Sequence, residues 1–272
     1  MQLPATLDYP IVAIGDIHGQ REFLERLLAK LEQLAEWPGC SIVFLGDLMD
    51  RGPDVKGTVE LILSLIRTRG NCTAVMGNHD LAPKRAAGLD GQPPSEFWVR
   101  RYRIAYDHQM TFRAYLGRDA NLDRWEEELE ALHHAMPRDH RELLAALPWV
   151  VEAEGHIFLH AGLSPELDQP AEKQVQALRE RRWDWSLSPK PGTRTSDLWQ
   201  PDYPVWIGAD KRLSEFPLPL PGRIQVTGHV HIPEPDVNSV RIRIDTSGGR
   251  QEPLTACLLE HPTAPPRFIQ SL

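Results

Sequence analysis

The stretch VFLGDLMDRGPD, residues 43–54, places a dense polar cluster directly after a short apolar run. Asp47, Asp50 and Arg51 lie within five positions there, bracketed by two glycines. An ordinary turn needs a glycine and one short polar side chain, but not two carboxylates and a guanidinium. The apolar run predicts a buried strand, and the cluster predicts a functional loop at the end of that strand.

The first third of the chain repeats this arrangement on both sides of that stretch. The apolar run IVAI (11–14) leads into GDIHG, and CTAVM (72–76) leads into GNHD. Between these runs, apolar residues at helical spacing predict helices from Arg21 to Leu34 and from Thr58 to Ile66. Strands that alternate with helices in this way predict βαβ units with parallel strands.

The remaining two thirds divide into a helical part and a strand-rich part. Residues from about 81 to 147 are polar and helical in spacing, which predicts an inserted helical layer. Further strands are predicted at HIFLH (156–160), RIQVTGH (223–229), VRIRID (240–245) and LTACLLE (254–260). The segment 186–221 is rich in proline and predicts a loop. No linker is long and polar enough to divide the chain, so we expect a single domain over residues 1–272.

The composition of the chain is ordinary for a soluble globular protein, with 41% hydrophobic and 25% charged residues. Its net charge of -8 argues against a broad nucleic-acid surface. The three cysteines match no zinc or redox spacing, and buried free thiols fit a reducing cytoplasm. The first residues do not resemble a secretory signal, and no window approaches the roughly 18 apolar residues of a membrane span. We therefore expect a cytoplasmic protein without a membrane partner.

Oxygen- and nitrogen-bearing side chains follow five of the predicted strands. They are Asp16 and His18, Asp47, Asn78 and His79, His160, and His229 with His231. In an open α/β sheet the carboxyl ends of the strands form one edge, where ligands bind. Carboxylate, amide and imidazole donors together suit manganese, iron or zinc. Each cluster alone is also consistent with a polar turn or a core histidine, but their recurrence at strand ends favours a metal site.

The motifs GDIHG, GDLMDRG, GNHD, HAGLSP and TGH resemble those of the calcineurin-like metallophosphoesterases. Within that group they are most similar to the bacterial phosphoprotein phosphatase family. The resemblance extends from about Ile11 to Glu260. It implies a mixed α/β fold, in which two mixed β-sheets flanked by helices form a four-layer sandwich.

The resemblance also implies a role for each residue of these motifs. Two divalent metal ions are expected, with manganese favoured and iron or zinc as alternatives. Asp16, His18 and Asp47 would hold the first metal, and Asp47 would bridge to a second one held by Asn78, His160 and His229. A hydroxide bridging the metals would attack phosphorus without a phosphoenzyme.

The implied catalytic residues are His79, Asp50 and Arg51. His79 would protonate the leaving oxygen, and Asp50 would orient the His79 ring. Arg51, with Asn78, would bind the phosphate as a planar donor.

Three departures from the family pattern bear on the site. Asp80 stands where the family usually has glutamate. A second phosphate-binding arginine is expected in GADKRLSEF, where Lys211 and Arg212 are the alternatives and we favour Arg212. The chain has Gly-His-Val-His where bacterial relatives usually have Gly-His-Thr-Pro. Because residues two apart in an extended segment point to the same side, His231 is predicted to bind the first metal.

Three functions remain open at this point. A phosphomonoesterase, specifically a Ser/Thr protein phosphatase, is favoured by DRGPD and HAGLSP. A symmetrical diadenosine tetraphosphate hydrolase shares GNHD and HAG, and the tryptophans at 183, 185, 199 and 206 offer rings for a nucleobase. A non-catalytic scaffold is disfavoured because all seven metal and acid positions are present.

Overall fold

The computed structural model describes residues 1–183, 204, 206–207 and 217–272, and it shows two mixed sheets with helices packed around them. In chain order the described strands are β1 (Ile11–Ile14), β2 (Ser41–Phe44), β3 (Cys72–Ala74), β4 (Val151–Ala153), β5 (His156–Phe158), β6 (Ile224–Thr227), β7 (Asp236–Val237), β8 (Arg241–Arg243), β9 (Thr255–Leu259) and β10 (Arg267–Gln270). The described α-helices are α1 (Arg21–Leu31), α2 (Val55–Arg69), α3 (Asn78–Ala86), α4 (Glu96–Ala105), α5 (Gln109–Leu116), α6 (Trp125–Ala135), α7 (Arg138–Ala146) and α8 (Ala171–Arg179).

The first sheet has the order β10-β9-β1-β2-β3. Strands β1, β2 and β3 are parallel, with Ile11 opposite Ser41, and α1 and α2 connect them as predicted. On the other side of β1, β9 runs antiparallel with Leu259 opposite Ile11. The second sheet has the order β4-β5-β6-β8-β7, in which β5, β6 and β8 are parallel.

The helices between the first strands form where the sequence predicts them. Asp54 caps α2 by accepting a hydrogen bond from the Gly57 amide at 2.8 Å, and Gly70 ends it in a left-handed conformation with φ of 71°. α1 ends at Leu31, three residues before the predicted end, although Leu34 still packs partly buried against the core.

Alternate residues of the central strands face two different apolar layers. Ile11 and Ala13 of β1 pack in one cluster with Phe158 and Val226 of the second sheet, so this cluster fills the space between the sheets. Val12 and Ile14 belong to the other cluster, which includes the buried leucines of α1. Because strand side chains alternate in direction, one face of the first sheet packs on the second sheet and the other on helices. This arrangement is the predicted sandwich.

The described chain between β3 and β4 is helical, from α3 to α7. Trp98, Tyr102 and Phe112 are fully buried there, and Tyr102 and Phe112 pack against Trp125. Each such side chain contributes roughly 1.5–3 kcal/mol by leaving water. Aromatic packing therefore holds α4 and α5 in place. Among the described helices, none has the length and apolar character that crossing a membrane requires.

Candidate metal centre

The five polar clusters come from both sheets. The loops after β1, β2 and β3 belong to the first sheet, and those after β5 and β6 belong to the second. The strand pattern alone predicted one edge of a single open sheet, which is wrong because two sheets stack and share the site. The His229 amide donates to Asp16 Oδ2 at 3.0 Å, which joins the second sheet to the first.

Two glycines allow these loops to approach one another. A Cβ on Gly77 would lie 2.2 Å from the Asp47 backbone nitrogen and carboxylate, and one on Gly228 would lie 2.0 Å from Asp16 Oδ1. Any side chain at either position would displace a carboxylate of the site.

Left-handed backbone at residues other than glycine is concentrated in the same loops. His18, Asp47, Asp50, Arg51 and His229 all have φ between 48° and 68°. In the described chain, Arg181 is the one further residue of this kind. Such conformations cost of order 1–3 kcal/mol each and persist where the surrounding structure holds them. The loops therefore fix side-chain directions at the expense of stability.

Asp47 lies between two groups of nitrogen donors. Its Oδ2 is 3.3 Å from His18 Nε2 and 3.3 Å from His160 Nε2. His18, Asp47 and His79 form one group whose ligand atoms lie within 4.8 Å of one another, and Asp47, His160 and His229 form another. Asn78 Oδ1 is 3.2 Å from His160 Nε2, so it adjoins the second group. Asp47 is thus shared by the two groups, as a bridging ligand would be.

Backbone carbonyls orient two of these histidines. His18 Nδ1 lies 2.8 Å from the Met49 carbonyl oxygen, and His160 Nδ1 lies 2.6 Å from that of Leu45. Since a carbonyl only accepts, each Nδ1 carries a hydrogen, and each Nε2 is the ring atom directed at the site. Metal-binding histidines commonly donate their other ring N–H to a backbone carbonyl in this way.

The buried carboxylates concentrate negative charge in the site, which favours bound cations. Burial, followed by the charge of Asp245, raises the pKa of Asp16 well above its usual value. Burial also acts to raise the pKa of Asp47, but the charges of His160, His79 and His18 lower it well below the usual range. The same carboxylates, against the effect of burial, raise the pKa of His160 to about 10. Divalent cations would satisfy this charge balance, and the oxygen and nitrogen donors suit manganese, iron or zinc.

His79 and Asp50 form a buried pair with two further donors. His79 Nδ1 is 2.8 Å from Asp50 Oδ2. The hydroxyls of Tyr102 and Thr111 donate to Asp50 Oδ1 at 2.8 and 2.6 Å. Burial raises the pKa of Asp50 to about 6, although these two hydroxyls act to lower it. Burial likewise lowers the pKa of His79 well below its usual value.

Arg51 lies against both histidines of the first group. Its Nη1 donates to His18 Nε2 and to the Gly248 carbonyl, each at 2.8 Å, and its Nη2 donates to His79 Nε2 at 3.0 Å. The guanidinium therefore lies at the centre of the site, where a phosphate would meet it.

Asp80 ties two of the loops together. Its Oδ1 accepts from the Leu48 amide at 2.9 Å, and its Oδ2 accepts from the Gly77 amide at 3.1 Å. Burial, and then the charge of Asp47, raises the pKa of Asp80 to about 7. This aspartate positions loops rather than ligand atoms.

Several predicted residues are placed elsewhere or fall outside the described chain. The His231 side chain is exposed, it belongs to neither donor group, and its Nε2 lies 3.3 Å from Gln251 Nε2. Its role as a ligand of the first metal stays a prediction. Lys211 and Arg212 lie outside the described residues, so the second phosphate-binding residue also stays a prediction.

The tryptophans proposed for a nucleobase are only partly described. Trp206 is fully buried and donates to Gln174 Oε1 at 2.8 Å, and Trp183 packs against it edge to face. Trp206 therefore presents no free face to a base, and Trp183 packs on the core. Trp185 and Trp199 lie outside the described residues.

Sequence patterns missed Tyr102, Thr111, Asp245 and Tyr106, whose ring centroid lies 4.7 Å from that of His79. Asp245 accepts from the Gly248 amide at 2.8 Å and raises the pKa of Asp16 by its charge. It opens DTSGG directly after a strand, the same signal that revealed the other clusters. The residues from α4 and α5 and the segment between them carry no such signal, because their aromatic spacing is typical of a helix core.

Comparison with known proteins places the chain among phosphoesterases. The family profile described as calcineurin-like phosphoesterase matches residues 9–233. A symmetrical bis(5'-nucleosyl)-tetraphosphatase of Burkholderia thailandensis is 27% identical over 199 residues, which cover 71% of this chain and 57% of the relative. The enzyme of the same name from Aeromonas hydrophila subsp. hydrophila is 30% identical over 204 residues, covering 70% of this chain and 59% of the relative. The chain thus spans less than two thirds of the length of these relatives.

Solved structures agree with the fold. The crystal structure of a candidate diadenosine tetraphosphatase superposes with a TM-score of 0.55 at 20% identity, covering 99% of this chain and 98% of that one. A point mutant of a cold-active protein tyrosine phosphatase superposes with a TM-score of 0.58 at 19% identity, covering 99% of this chain and 80% of that one. At these identities the likeness concerns the fold alone.

Proposed function

Because the chain belongs to the calcineurin-like phosphoesterase family, we propose that it hydrolyses phosphate esters at a centre of two divalent metal ions. The observation that carries this proposal is the single Asp47 carboxylate, which two donor groups share. The first site would be completed by His18 and by Asp16, which belongs to neither donor group, while His79 of the first group would serve as the proton donor. Asn78, His160 and His229 would complete the second site. When bound, the two metals would lower the pKa of a water molecule and offset charge on the phosphoryl oxygens.

The residues around the metals would position the ester and move one proton. Arg51 presents two nitrogens toward the centre of the site, which suits two oxygens of one phosphate. Asp50 holds His79 through Nδ1, so His79 Nε2 is the atom that faces the leaving oxygen. Once a phosphate draws Arg51 Nη2 away from His79 Nε2, that nitrogen would be free to carry a proton, which would pass to the leaving oxygen as its bond to phosphorus breaks.

For the substrate, we propose a symmetrical dinucleoside tetraphosphate such as diadenosine tetraphosphate. The support is that both relatives described above bear the name of that activity. Hydrolysis at the central bridge places a nucleoside diphosphate on each side, so the leaving group is large and anionic. A Ser/Thr phosphoprotein is the second candidate, which the motifs DRGPD and HAGLSP support.

A substrate panel tests both levels of the proposal. Protein stripped of metal and reloaded with manganese, iron or zinc is assayed on diadenosine tetraphosphate, a phosphothreonine peptide and p-nitrophenyl phosphate. We expect metal-dependent hydrolysis, with ADP as the one product from diadenosine tetraphosphate. AMP with ATP would contradict symmetrical cleavage. A phosphopeptide preference would select the second candidate, and a trapped phosphoenzyme would overturn the mechanism.

A further inference from the structure

A cavity of about 470 Å³ opens beside the catalytic pair. Its lining includes Gln20, Arg51, Tyr106, Asp107, Met110 and Arg250. Arg51 Nη2 is 3.0 Å from His79 Nε2, so one wall of the cavity is also a wall of the reaction centre. A group leaving toward His79 would therefore enter this space. The volume lies within the range of about 300–1,000 Å³ that is usual for sites of small organic ligands.

Two arginines at the cavity share one exposed carboxylate. Arg250 Nη2 forms a hydrogen bond with Asp107 Oδ2, and Arg51 Nε lies 4.0 Å from the same oxygen. The Arg250 and Asp107 side chains are 68% and 55% exposed. Exposed pairs of this kind contribute about 0–1 kcal/mol, so a more highly charged anion readily replaces the carboxylate. The positions of Arg51 and Arg250 on the lining suit the phosphates of a diphosphate group.

Tyr106 supplies an aromatic wall close to the reaction centre. Its ring centroid lies 4.7 Å from that of His79. Tyr102, at a centroid distance of 5.7 Å, and Trp98, at 6.3 Å, support the same ring from the helical insertion. Tyr106 is half-buried and lines the cavity, unlike the fully buried Trp206. A ring held in this way can stack on a planar base without first being ordered.

We propose that this cavity binds the leaving nucleoside diphosphate, with its base against Tyr106 and its phosphates between Arg51 and Arg250. The proposal deepens the function given above and rests on it for the choice of a nucleotide. It explains why an aromatic ring and two arginines surround the space next to His79. A phosphopeptide offers neither a base nor a second phosphate to these groups, so its binding would not depend on Tyr106 and Arg250 in this way.

Calorimetric titration of the metal-loaded protein with ADP and with pyrophosphate measures how much the base contributes to affinity. We expect ADP to bind about tenfold more tightly than pyrophosphate, because stacking on one aromatic ring contributes an effect of that order. Tyr106→Leu removes this preference, and Tyr106→Phe, which keeps the ring, retains it. Equal affinity of the parent protein for the two ligands overturns the proposal, and so does a preference that survives in Tyr106→Leu.

A variant of Arg250 tests the contact with the phosphates. The Arg250 side chain is exposed, so its loss should leave the fold intact. Arg250→Gln should weaken both ADP and pyrophosphate by about fivefold to tenfold, with a smaller effect at high salt. Arg138→Gln is the matched control, since Arg138 is 86% exposed on α7 and pairs with Glu142. If Arg250→Gln binds both ligands as tightly as Arg138→Gln does, the diphosphate is not held there and the proposal fails.

The experiments distinguish a failure of the proposed function from a failure of the cavity assignment. Cleavage of diadenosine tetraphosphate by a protein without an ADP preference overturns the cavity assignment and leaves the function standing. An ADP preference that Tyr106→Leu abolishes, in a protein that hydrolyses only p-nitrophenyl phosphate, overturns the nucleotide substrate and supports the cavity as a nucleotide site.

Discussion

The metal loops and the helical insertion meet at the same reaction centre but are built by opposite means. The loops hold His18, Asp47 and His229 by left-handed backbone and by glycines that tolerate no side chain. The insertion contributes Tyr102 and Thr111 from regular helices that aromatic packing fixes in place. In the loops the backbone sets the direction of the donor atoms, whereas in the insertion the side-chain core sets it.

This difference predicts how each region responds to change. A loop residue acts directly on metal or substrate, so its loss removes a function. Tyr102 and Thr111 of the insertion act through Asp50, so the loss of either loosens a geometry that other contacts partly maintain. The expected effects therefore decrease from the loops to the insertion, and then to ion pairs outside both.

The largest effect is expected for Asp47→Asn. A neutral amide bridges two cations poorly, so metal content falls and activity drops by about a thousandfold or more. Elemental analysis and an ester hydrolysis assay measure the two quantities. Asp123→Asn, in an exposed 3-10 helix, serves as the control that keeps both metals. Near-parental activity of Asp47→Asn would remove the bridging role.

His79→Asn tests the proton donor while leaving the metals in place. The rate on a poor leaving group should fall by about 10²–10⁴-fold, and the rate on p-nitrophenyl phosphate should fall less because its leaving group scarcely needs a proton. Rates on a series of aryl and alkyl phosphates give the dependence on leaving-group pKa. Equal losses across the series would contradict the role of His79 as the acid.

Tyr102→Phe and Thr111→Val test whether the insertion reaches the reaction through Asp50. Each should lower kcat by about tenfold with little change in KM, and more on poor leaving groups, since each removes a hydrogen bond to a buried carboxylate. Tyr115→Phe is the matched control, because Tyr115 bonds His140 in the same insertion and is not a donor to Asp50. A similar loss in the control would show that general packing, not the Asp50 contact, sets the rate.

His231→Thr tests whether the metal-binding loops include His231. If His231 binds the first metal, the variant should hold one metal about tenfold more weakly while its fold is unchanged. Titration with a chelator, monitored by metal release, measures this. If both metals are held as tightly as in the parent, the exposed contact with Gln251 is the whole role of His231.

The smallest effect on catalysis is expected for Glu152→Gln, which lies outside both regions. Glu152 Oε1 accepts from Arg179 Nε at 2.6 Å, and Arg223 bonds the other oxygen. The hydrogen bond from Arg179, opposed by burial and supported by Arg223, lowers the pKa of Glu152 below its usual value of 4.5. The variant should lose roughly 1–2 kcal/mol of unfolding free energy at neutral pH and keep its kcat.

The pH dependence of this stability follows from the direction of the shift. A carboxyl whose folded pKa lies below its unfolded pKa stabilises the fold above about pH 4.5, and this contribution disappears as the pH falls through the folded value. Urea unfolding of parent and Glu152→Gln from pH 7 to pH 3 should therefore converge in acid. Glu25→Gln, in an exposed pair with Arg21, is the control. A constant gap between the curves would contradict the assignment.

Sequence patterns revealed the loop region because its chemistry requires particular residues at fixed positions. Gly77 is required by the approach of Asp47, and the polar residues follow predicted strands. Tyr102 and Tyr106 escaped notice because helix-spaced aromatics usually form a core, and only three-dimensional packing directs one of them to Asp50. The antiparallel pairing of β9 with β1 also escaped, since the pairing of distant strands leaves no local pattern.

The position of β9 has a consequence for the order of events during translation. β1, β2 and β3 leave the ribosome early, but the open side of β1 is paired only when residues 255–259 have been made. A nascent chain stopped after His231 carries every candidate metal ligand, yet the strand that leads into Asp16 still has an unpaired edge. Unpaired edges recruit strands from other chains, so incomplete polypeptides of this protein are expected to aggregate and to need chaperones.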